Sequence, residues 1–412
     1  MKLNKLSTMF FIFICTLLFL CMPCFANVPE LKSEAAILFE TSTGNILYSK
    51  NESEKLYPAS TTKILTAIIA IENCELDEIV TVSKNAVDLV PSGYSNGGLI
   101  AGEKLSIKDL LYALMLNSAN EAANVLAEHI SGSIDEFAIL MNQKAEEIGC
   151  TNTHFTNANG MHNDDHYTTA LDMALIANYC MKNDTFREIV STTTYTLPST
   201  NKYSRNDRIM KTTNQLINPD SKYYLESAIG IKTGYTTQGG NCLISAVQKD
   251  DIQLICVTLK AGSSTKESGY RFSDSKALLE YGLENFGFVK ISTKGEVIDT
   301  VKVEDATTET ENLKIVVKED TMDFVKNDSE IQESNIEIEQ NLHAPIQAGT
   351  VVGKISYSID EKTYTVDLIA ENDVIERIYY EIYIIIACII IVVLIIIIKI
   401  KRKKSKKNNF YW

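Results

Sequence analysis

The stretch YPASTTKILTAIIAI, residues 57–71, places a serine and a lysine three residues apart at the start of a long apolar run. The run after the lysine predicts a helix that is buried on most sides, with an exposed first turn. On a helix, Ser60 and Lys63 share one face and lie within reach of each other. A serine hydroxyl needs a base, and a lysine can act as one when burial or a second cation favours its neutral form. The stretch therefore predicts a nucleophile beside its base.

Two further motifs follow, Ser118-Ala119-Asn120 and then Lys232-Thr233-Gly234. The last motif occurs once, between the apolar stretches 228–231 and 242–247, where an edge strand fits. A glycine in such a strand lets a substrate approach the backbone closely. Lys232 is a candidate for the second cation that lowers the pKa of Lys63.

Each motif alone is weak, because the same spacing recurs elsewhere in the chain. The Ser-x-x-Lys pattern is also found at Ser199/Lys202, Ser263/Lys266 and Ser273/Lys276. Two of these pairs have no helix behind them, and the third begins a helix whose glutamates mark a surface face. Only Ser60 precedes a buried helix, so it is the predicted nucleophile.

The order and spacing of the three motifs match the set found in penicillin-binding proteins and serine β-lactamases. The surrounding segments narrow the match, and the chain resembles the low-molecular-mass penicillin-binding proteins that are serine-type D-alanyl-D-alanine carboxypeptidases. The segments that carry the resemblance are AAILFETSTGNILYSKN (35–51), YPASTTKILTA (57–67), LLYALMLNSANEAANVLAEHI (110–130), FTNANGMHNDDHYTTALDMALIANY (155–179), GIKTGYTTQGGNCLISA (230–246) and Arg271-Phe272-Ser273-Asp274.

The resemblance implies a role for each motif residue. Ser60 would attack the carbonyl between the last two D-alanines of a peptidoglycan stem peptide, and Lys63 would take its proton. Ser118 would relay a proton toward the leaving amine, and Asn120 would position the base and the substrate amide. The substrate-binding residues on the other side are Lys232, Thr233, Gly234 and Tyr235, where the first two would hold the terminal carboxylate and the amides of Ser60 and Tyr235 would stabilise the oxyanion. The same serine would be acylated by β-lactam antibiotics.

His166 lies in the loop that borders the site in the family, and two interpretations stay open. It either shapes the loop or assists deacylation, or it is a structural residue. Asn157 and Gly160 are expected to set the loop conformation, since both tolerate left-handed backbone geometry.

Rival functions use the same acyl-enzyme. A serine β-lactamase would carry a glutamate on a separate loop to drive deacylation, whereas the loop 154–166 contains Asp164 and Asp165 and no glutamate. A DD-endopeptidase or transpeptidase would differ only in its acceptor. A non-enzymatic cell-wall scaffold would be expected to lack Ser60, Lys63 or Lys232, and all three are present.

The composition fits an exported, membrane-anchored protein. Residues 1–26 have two lysines, a short apolar core and a Cys24-Phe25-Ala26 cleavage signal, which together predict a signal peptide. The apolar run 382–398 is long enough to cross a bilayer, and the basic residues after it predict a cytoplasmic C-terminus with the enzyme outside. The net charge of −14 argues against nucleic acid as a partner. No cofactor is implied, and no Cys/His cluster in the sequence has zinc-ligand spacing.

The predicted fold class is α+β. Apolar residues repeat at helical spacing over 107–116, 121–130, 134–148 and 169–181, and strand-like segments flank them, as in an antiparallel sheet with helices on both faces. Beyond residue 287, short alternating runs at 296–303, 313–317, 336–338 and 362–369 predict a small all-β domain. The predicted organisation is a signal peptide (1–26), a DD-peptidase domain (27–286), a β-rich domain (287–377), a transmembrane helix (378–398) and a basic cytoplasmic tail (399–412).

Overall fold

The computed structural model describes residues 28–408, so the predicted signal peptide lies outside the described residues. The chain divides between Gly287 and Phe288 into two compact units. The first unit carries all of the sequence motifs, and the second leads into the C-terminal helix.

The first unit is built on a five-stranded antiparallel sheet in the order β2-β1-β9-β8-β7. Its strands are β1 (Ala35–Glu40), β2 (Ile46–Lys50), β7 (Ala228–Thr236), β8 (Gly240–Lys249) and β9 (Ile252–Leu259). The strand β7, which contains Lys232-Thr233-Gly234, lies at the edge of the sheet, as predicted. Two small two-stranded antiparallel sheets complete the strands, β3 (Ile79–Thr81) with β4 (Lys104–Ser106) and β5 (Thr194–Leu197) with β6 (Arg208–Lys211).

The helices of the first unit agree with the predicted periodicity, and two of them, α3 and α5, have the predicted bounds. They are α1 (Lys63–Asn73), α2 (Lys84–Asp88), α3 (Ile107–Leu116), α4 (Asn120–Ser131), α5 (Ile134–Ile148), α6 (Ala170–Met181), α7 (Asp184–Ser191) and α8 (Tyr270–Asn285). Several begin at a side chain that accepts a hydrogen bond from the first turn. Ser106, for example, forms a reciprocal capping box with Asp109 before α3.

Helices cover both faces of this sheet. Successive residues of a strand point to opposite faces, and apolar residues that follow one another in β1 therefore give both faces an apolar surface to cover. Ile37 of β1 joins the large apolar core together with α1, α3, α4 and α6. Its neighbour Leu38 lies on the other face, where a Cβ on Gly282 of α8 would come within 2.8 Å of its side chain. The predicted fold class of this unit is therefore confirmed.

The second unit has its own apolar core and is built from strands. Five of them form an antiparallel sheet in the order β11-β12-β16-β15-β14, and β10 pairs with β13. Aliphatic side chains such as Leu313, Ile315, Ile355 and Leu368 fill its core. The strands are β10 (Phe286–Ser292), β11 (Val297–Lys302), β12 (Asn312–Val317), β13 (Thr321–Lys326), β14 (Ile331–Ile338), β15 (Val351–Ile359) and β16 (Lys362–Ala370).

The last element is the helix α9 (Tyr380–Asn408). Its segment Tyr380–Lys404 is long and apolar enough to cross a membrane, and the apolar side chains along it are exposed. A C-terminal apolar helix is thus confirmed, and its cytoplasmic end stays a prediction.

Candidate active site

Ser60 lies in a 3-10 turn, Ala59–Thr62, immediately before α1, so the expectation that it belongs to the α-helix itself is wrong. Side chains at i and i+3 nearly eclipse one another in a 3-10 turn, which places Ser60 and Lys63 on the same side of the chain. Lys63 Nζ and Ser60 Oγ are 3.0 Å apart, within hydrogen-bond distance. The predicted nucleophile and base are therefore in direct contact.

Lys63 is completely buried, and its ammonium is surrounded by acceptors. Nζ donates to Asn120 Oδ1 over 2.8 Å and to the Asn159 carbonyl over 2.5 Å. Burial lowers the pKa of Lys63 well below its usual value, and the nearby charge of Lys232 lowers it further. Both causes favour the neutral amine, which is the form that can accept a proton from Ser60.

The second wall of the site comes from the short connection between α3 and α4. Ser118 has a left-handed φ of 58°, which turns the chain sharply there. Its Oγ is buried and has no hydrogen-bond partner among the described residues. Asn120, the first residue of α4, accepts from Lys63 and donates from Nδ2 to the Ser95 carbonyl over 2.9 Å. The side-chain amide of Asn120 is thus held by hydrogen bonds at both its oxygen and its nitrogen, and the Ser118 hydroxyl is left available for a ligand.

The edge strand β7 forms the third wall. A Cβ on Gly234 would lie 2.9 Å from the Pro58 carbonyl and 3.1 Å from the Ser60 amide. Only a residue without a side chain allows β7 to pack so closely against the serine turn. The Thr233 hydroxyl lies 2.6 Å from that of Thr213, and Tyr235 is 37% exposed at the mouth of the site.

Lys232 is completely buried beside Thr233, whose carbonyl accepts from its Nζ over 3.1 Å. Burial lowers the pKa of Lys232 to about 7, with the positive charge of Arg271 as the second cause. The guanidinium of Arg271 donates from Nη1 to the Gly234 carbonyl over 2.8 Å, and its Nε is buried without a partner among the described residues. Of these two cations, Arg271 lines the cavity of the site, whereas Lys232 is buried next to the lining residue Thr233 and does not line the cavity itself.

Arg271 was not among the predicted site residues, although the tetrapeptide Arg271-Phe272-Ser273-Asp274 contributes to the family resemblance. A usable signal was present, because arginine is a common ligand for carboxylate groups. What the sequence does not reveal is that α8 returns its first turn to β7. Thr213 was missed for a similar reason, since it lies in a connection without a motif.

These walls enclose a cavity of about 410 Å³. Among the described residues that line it, none is an aspartate or a glutamate. Asp164 and Asp165 of the neighbouring loop are exposed to solvent instead. The lining residues are Ser60, Gly93, Tyr94, Ser95, Ser118, Asn120, Gly160, Met161, Thr213, Thr233, Gly234, Tyr235, Thr236, Thr237 and Arg271.

His166 does not line the cavity and lies buried behind the serine turn. Its Nδ1 accepts from the Thr156 amide over 3.0 Å, so the ring proton is on Nε2, which lies 2.9 Å from Thr62 Oγ1. The Thr62 hydroxyl donates in turn to the Ala59 carbonyl over 2.8 Å. Burial lowers the pKa of His166 to about 3. The neutral ring connects the loop to the turn that holds Ser60, which favours a positioning role over proton transfer.

The loop itself packs directly on the serine turn. A Cβ on Gly160, which has a φ of +80°, would lie 1.9 Å from the Ala59 carbonyl. Asn157 accepts from the Gly160 amide through Oδ1 over 2.8 Å. Both contacts agree with the expectation that Asn157 and Gly160 set the loop conformation.

Comparisons with known proteins match both units. The family model for D-alanyl-D-alanine carboxypeptidase matches residues 23–263, and the model for the C-terminal domain of penicillin-binding protein 5 matches residues 286–376. The D-alanyl-D-alanine carboxypeptidase DacF of Bacillus subtilis is 31% identical over 337 residues, which cover 79% of this chain and 81% of the relative.

Solved structures agree. The D-alanyl-D-alanine carboxypeptidase DacD from Francisella tularensis is 26% identical, with a TM-score of 0.67 over 87% of this chain and 98% of that one. The Streptomyces K15 DD-transpeptidase is 32% identical, with a TM-score of 0.58 over 63% of this chain and 100% of that one. Since the first family model matches more than half of the sequence, the chain belongs to the D-alanyl-D-alanine carboxypeptidase family.

Proposed function

We propose that this protein is a serine D-alanyl-D-alanine carboxypeptidase that removes the terminal D-alanine from peptidoglycan stem peptides. The observation that carries the proposal is the 3.0 Å contact between Ser60 Oγ and the buried Nζ of Lys63. A neutral amine in hydrogen-bond contact with a hydroxyl is a nucleophile with its base in place. The contact lies at a cavity whose opposite end is cationic, as a substrate with a terminal carboxylate requires.

Acylation begins when Ser60 Oγ attacks the carbonyl carbon of the penultimate D-alanine and Lys63 takes its proton. The oxyanion then forms near the backbone amides of Ser60 and Tyr235, the donors implied by the family resemblance. The unpartnered hydroxyl of Ser118 is available to pass a proton to the leaving nitrogen. The C–N bond breaks, D-alanine departs, and an ester to Ser60 remains.

Substrate orientation follows from the charges at the other end of the cavity. Lys232 and Arg271 supply the positive charge, and the hydroxyls of Thr233 and Thr213 supply donors beside it. A free carboxylate satisfies these groups, whereas an internal peptide bond leaves them unpaired. A β-lactam presents a carboxylate and a reactive amide in a similar arrangement, so we expect it to acylate the same serine.

Hydrolysis of the ester by water completes the cycle. The absence of a carboxylate among the described cavity-lining residues favours slow deacylation of a penicilloyl group, and this argues against a β-lactamase. Transfer of the acyl group to an amine is the second candidate activity. It is supported by the 32% identity to the Streptomyces K15 DD-transpeptidase, which spans the whole of that chain.

We also propose that α9 anchors the enzyme in the cell membrane as a single span, with its catalytic unit outside and its C-terminus in the cytoplasm. The basic residues that follow residue 398 support this orientation. Protease added to wall-stripped cells should remove the catalytic unit and spare an epitope tag after Trp412. Loss of the tag with retention of the catalytic unit would reverse the orientation.

The activity is tested by incubating the full chain, purified in detergent, with a diacyl-L-Lys-D-Ala-D-Ala peptide. Release of D-alanine together with slow penicillin turnover is expected. Rapid penicillin hydrolysis without D-alanine release would identify a β-lactamase, and peptide dimers formed with an added amine acceptor would identify a transpeptidase. Mass spectrometry after β-lactam treatment should place the adduct on the peptide that contains Ser60. An adduct on Ser118 or Ser263 would overturn the assignment.

A further inference from the structure

A second cluster of reactive side chains lies where two helices of the first unit end. Cys74 directly follows α1, and its amide donates to the Ala70 carbonyl over 3.1 Å. His129 lies in the last turn of α4. Glu78 lies in the connection to β3, where its carbonyl accepts from the Ile107 amide over 3.0 Å. None of these three side chains lines the serine cavity.

The three side chains converge on one point. Each offers a ligand atom, and the three atoms lie within 4.8 Å of one another. The closest pair, His129 Nε2 and Glu78 Oε1, is 2.9 Å apart. Tetrahedral zinc, with bonds of about 2.0–2.3 Å, separates its ligand atoms by roughly 3.3–3.8 Å. Side-chain rotations are needed to reach that geometry, and the imidazole and carboxylate are 28% and 42% exposed, which leaves access for an ion and a water.

The surroundings favour a cation. The C-terminal ends of α1 and α4 both lie here, and the carbonyl groups at a helix C-terminus carry a partial negative charge. Residues 72–78 also contain Glu72, Glu75 and Asp77 besides Glu78. The neighbouring cation Lys144 is already paired with Glu72 and Glu147.

We propose that Cys74, Glu78 and His129 bind one zinc ion, with water as the fourth ligand. A thiolate, an imidazole and a carboxylate together suit a borderline metal such as zinc, whereas magnesium and calcium prefer oxygen ligands alone. The ion would join the C-terminal ends of α1 and α4. These are the two helices whose first residues are Lys63 and Asn120. Zinc therefore acts as a structural clamp at the far end of the helices that position the catalytic base, and this inference does not depend on the proposed activity.

Metal content gives the direct test. The full chain, purified in detergent without a histidine tag, is incubated with zinc, dialysed, and analysed by mass spectrometry of the metal. We expect about one zinc per chain. Cys74→Ser and His129→Gln should each lower this to a small fraction. The matched control is Cys150→Ser, which removes another half-buried thiol of the same unit and should retain the ion.

Two further measurements distinguish the loss of the zinc site from misfolding of a variant. Cadmium should produce a thiolate charge-transfer band in the ultraviolet that is lost in Cys74→Ser and kept in Cys150→Ser. Zinc at a hundredfold excess over its Kd should raise the Tm of the first unit by roughly 5 °C in the native chain and leave the Tm of Glu78→Gln nearly unchanged. Folded native protein that retains no zinc, or a Cys74→Ser variant that binds zinc and cadmium as the native chain does, would overturn the proposal.

Discussion

The two compact units differ most in what they bury. The first unit buries charged and polar side chains close together, among them Lys63, Lys232, Asn120 and Glu121. In the described part of the second unit, the buried side chains are apolar except for Ser292 and Asp323. Burying polar groups is unfavourable unless each finds a partner, and the Ser118 hydroxyl and the Arg271 Nε find none among the described residues. The first unit thus leaves polar groups unpaired at the cavity, where a substrate can supply the missing partners, whereas the described core of the second unit consists mainly of packed apolar side chains.

Lys63→Arg should have the largest effect on acylation. The guanidinium stays protonated and cannot accept the proton of Ser60. We expect the rate of acylation by a fluorescent penicillin to fall by at least about 10³-fold, within the range for a lost general base. Lys232→Arg is the matched control, because it retains a cation and should keep measurable acylation. Equal rates for the two arginine variants would show that the Ser60 proton leaves by another route, most plausibly through Ser118.

Lys232→Ala should have the next largest effect. The substitution removes one of the two cations at the carboxylate end of the cavity while leaving the nucleophile and its base in contact. We expect a loss of about 10²- to 10³-fold in kcat/KM for D-alanine release, comparable to the loss of an oxyanion donor. The difference in kcat/KM between Lys232→Ala and Lys232→Arg measures how much of the loss is due to the missing positive charge. A variant as active as the native enzyme would mean that Arg271 alone binds the carboxylate.

The pH dependence of kcat/KM should distinguish the roles of the two lysines. On the limb that each lysine controls, kcat/KM should change by about tenfold per pH unit. Lys63 acts as the neutral amine, so kcat/KM should rise with pH through its lowered pKa. Lys232 acts as the cation, so kcat/KM should fall as pH rises through about 7. Lys232→Arg should therefore remove the alkaline limb. Lys232→Ala should also shift the acid limb to higher pH, because it removes a charge that lowers the pKa of Lys63. An alkaline limb that persists in both variants would assign it to another group.

His166→Ala should reduce acylation by roughly tenfold, as expected when a positioning hydrogen bond is lost. The Thr156 amide loses its hydrogen-bond acceptor, and the Thr62 hydroxyl loses its hydrogen bond with the imidazole Nε2. His166→Gln can restore the bond to Thr62 and should recover part of the rate. Because the pKa of His166 is about 3, neither variant should change the shape of the pH profile between pH 5 and 8. A lost limb in that range would make His166 a proton carrier.

Ile355→Ala in the core of the second unit should have the smallest effect on acylation. The cavity it leaves should lower the free energy of unfolding by about 2 to 5 kcal/mol, measured by denaturant titration. The acylation rate should stay unchanged, because every residue that lines the serine cavity belongs to the first unit. Ile355→Val is the milder control. If the acylation rate fell in proportion to the loss of stability, the second unit would contribute to acylation, contrary to this expectation.

Local patterns were enough to predict much of this molecule. The apolar repeats at three and four residues predict α3 and α5 with their observed bounds, because an amphipathic helix needs one apolar face wherever it packs. The alternation in the second half predicts a β-rich unit, although β10, β13 and β15 were not predicted individually. The strands around Lys232-Thr233-Gly234 were predicted correctly, including the edge position of β7.

The remaining features depend on which distant segments meet, and no local pattern encodes that. Two distant segments, β7 and the loop at Gly160, pack against the 3-10 turn at Ser60 at distances that exclude a Cβ. Arg271 reaches Gly234 only because α8 returns across the sheet, and His129 meets Cys74 only because α1 and α4 end side by side. Sequence spacing can name a nucleophile and its base when they are three residues apart. The lowered pKa of Lys63 arises from burial and from a charge 169 positions further along the chain, and these are properties of the packed fold.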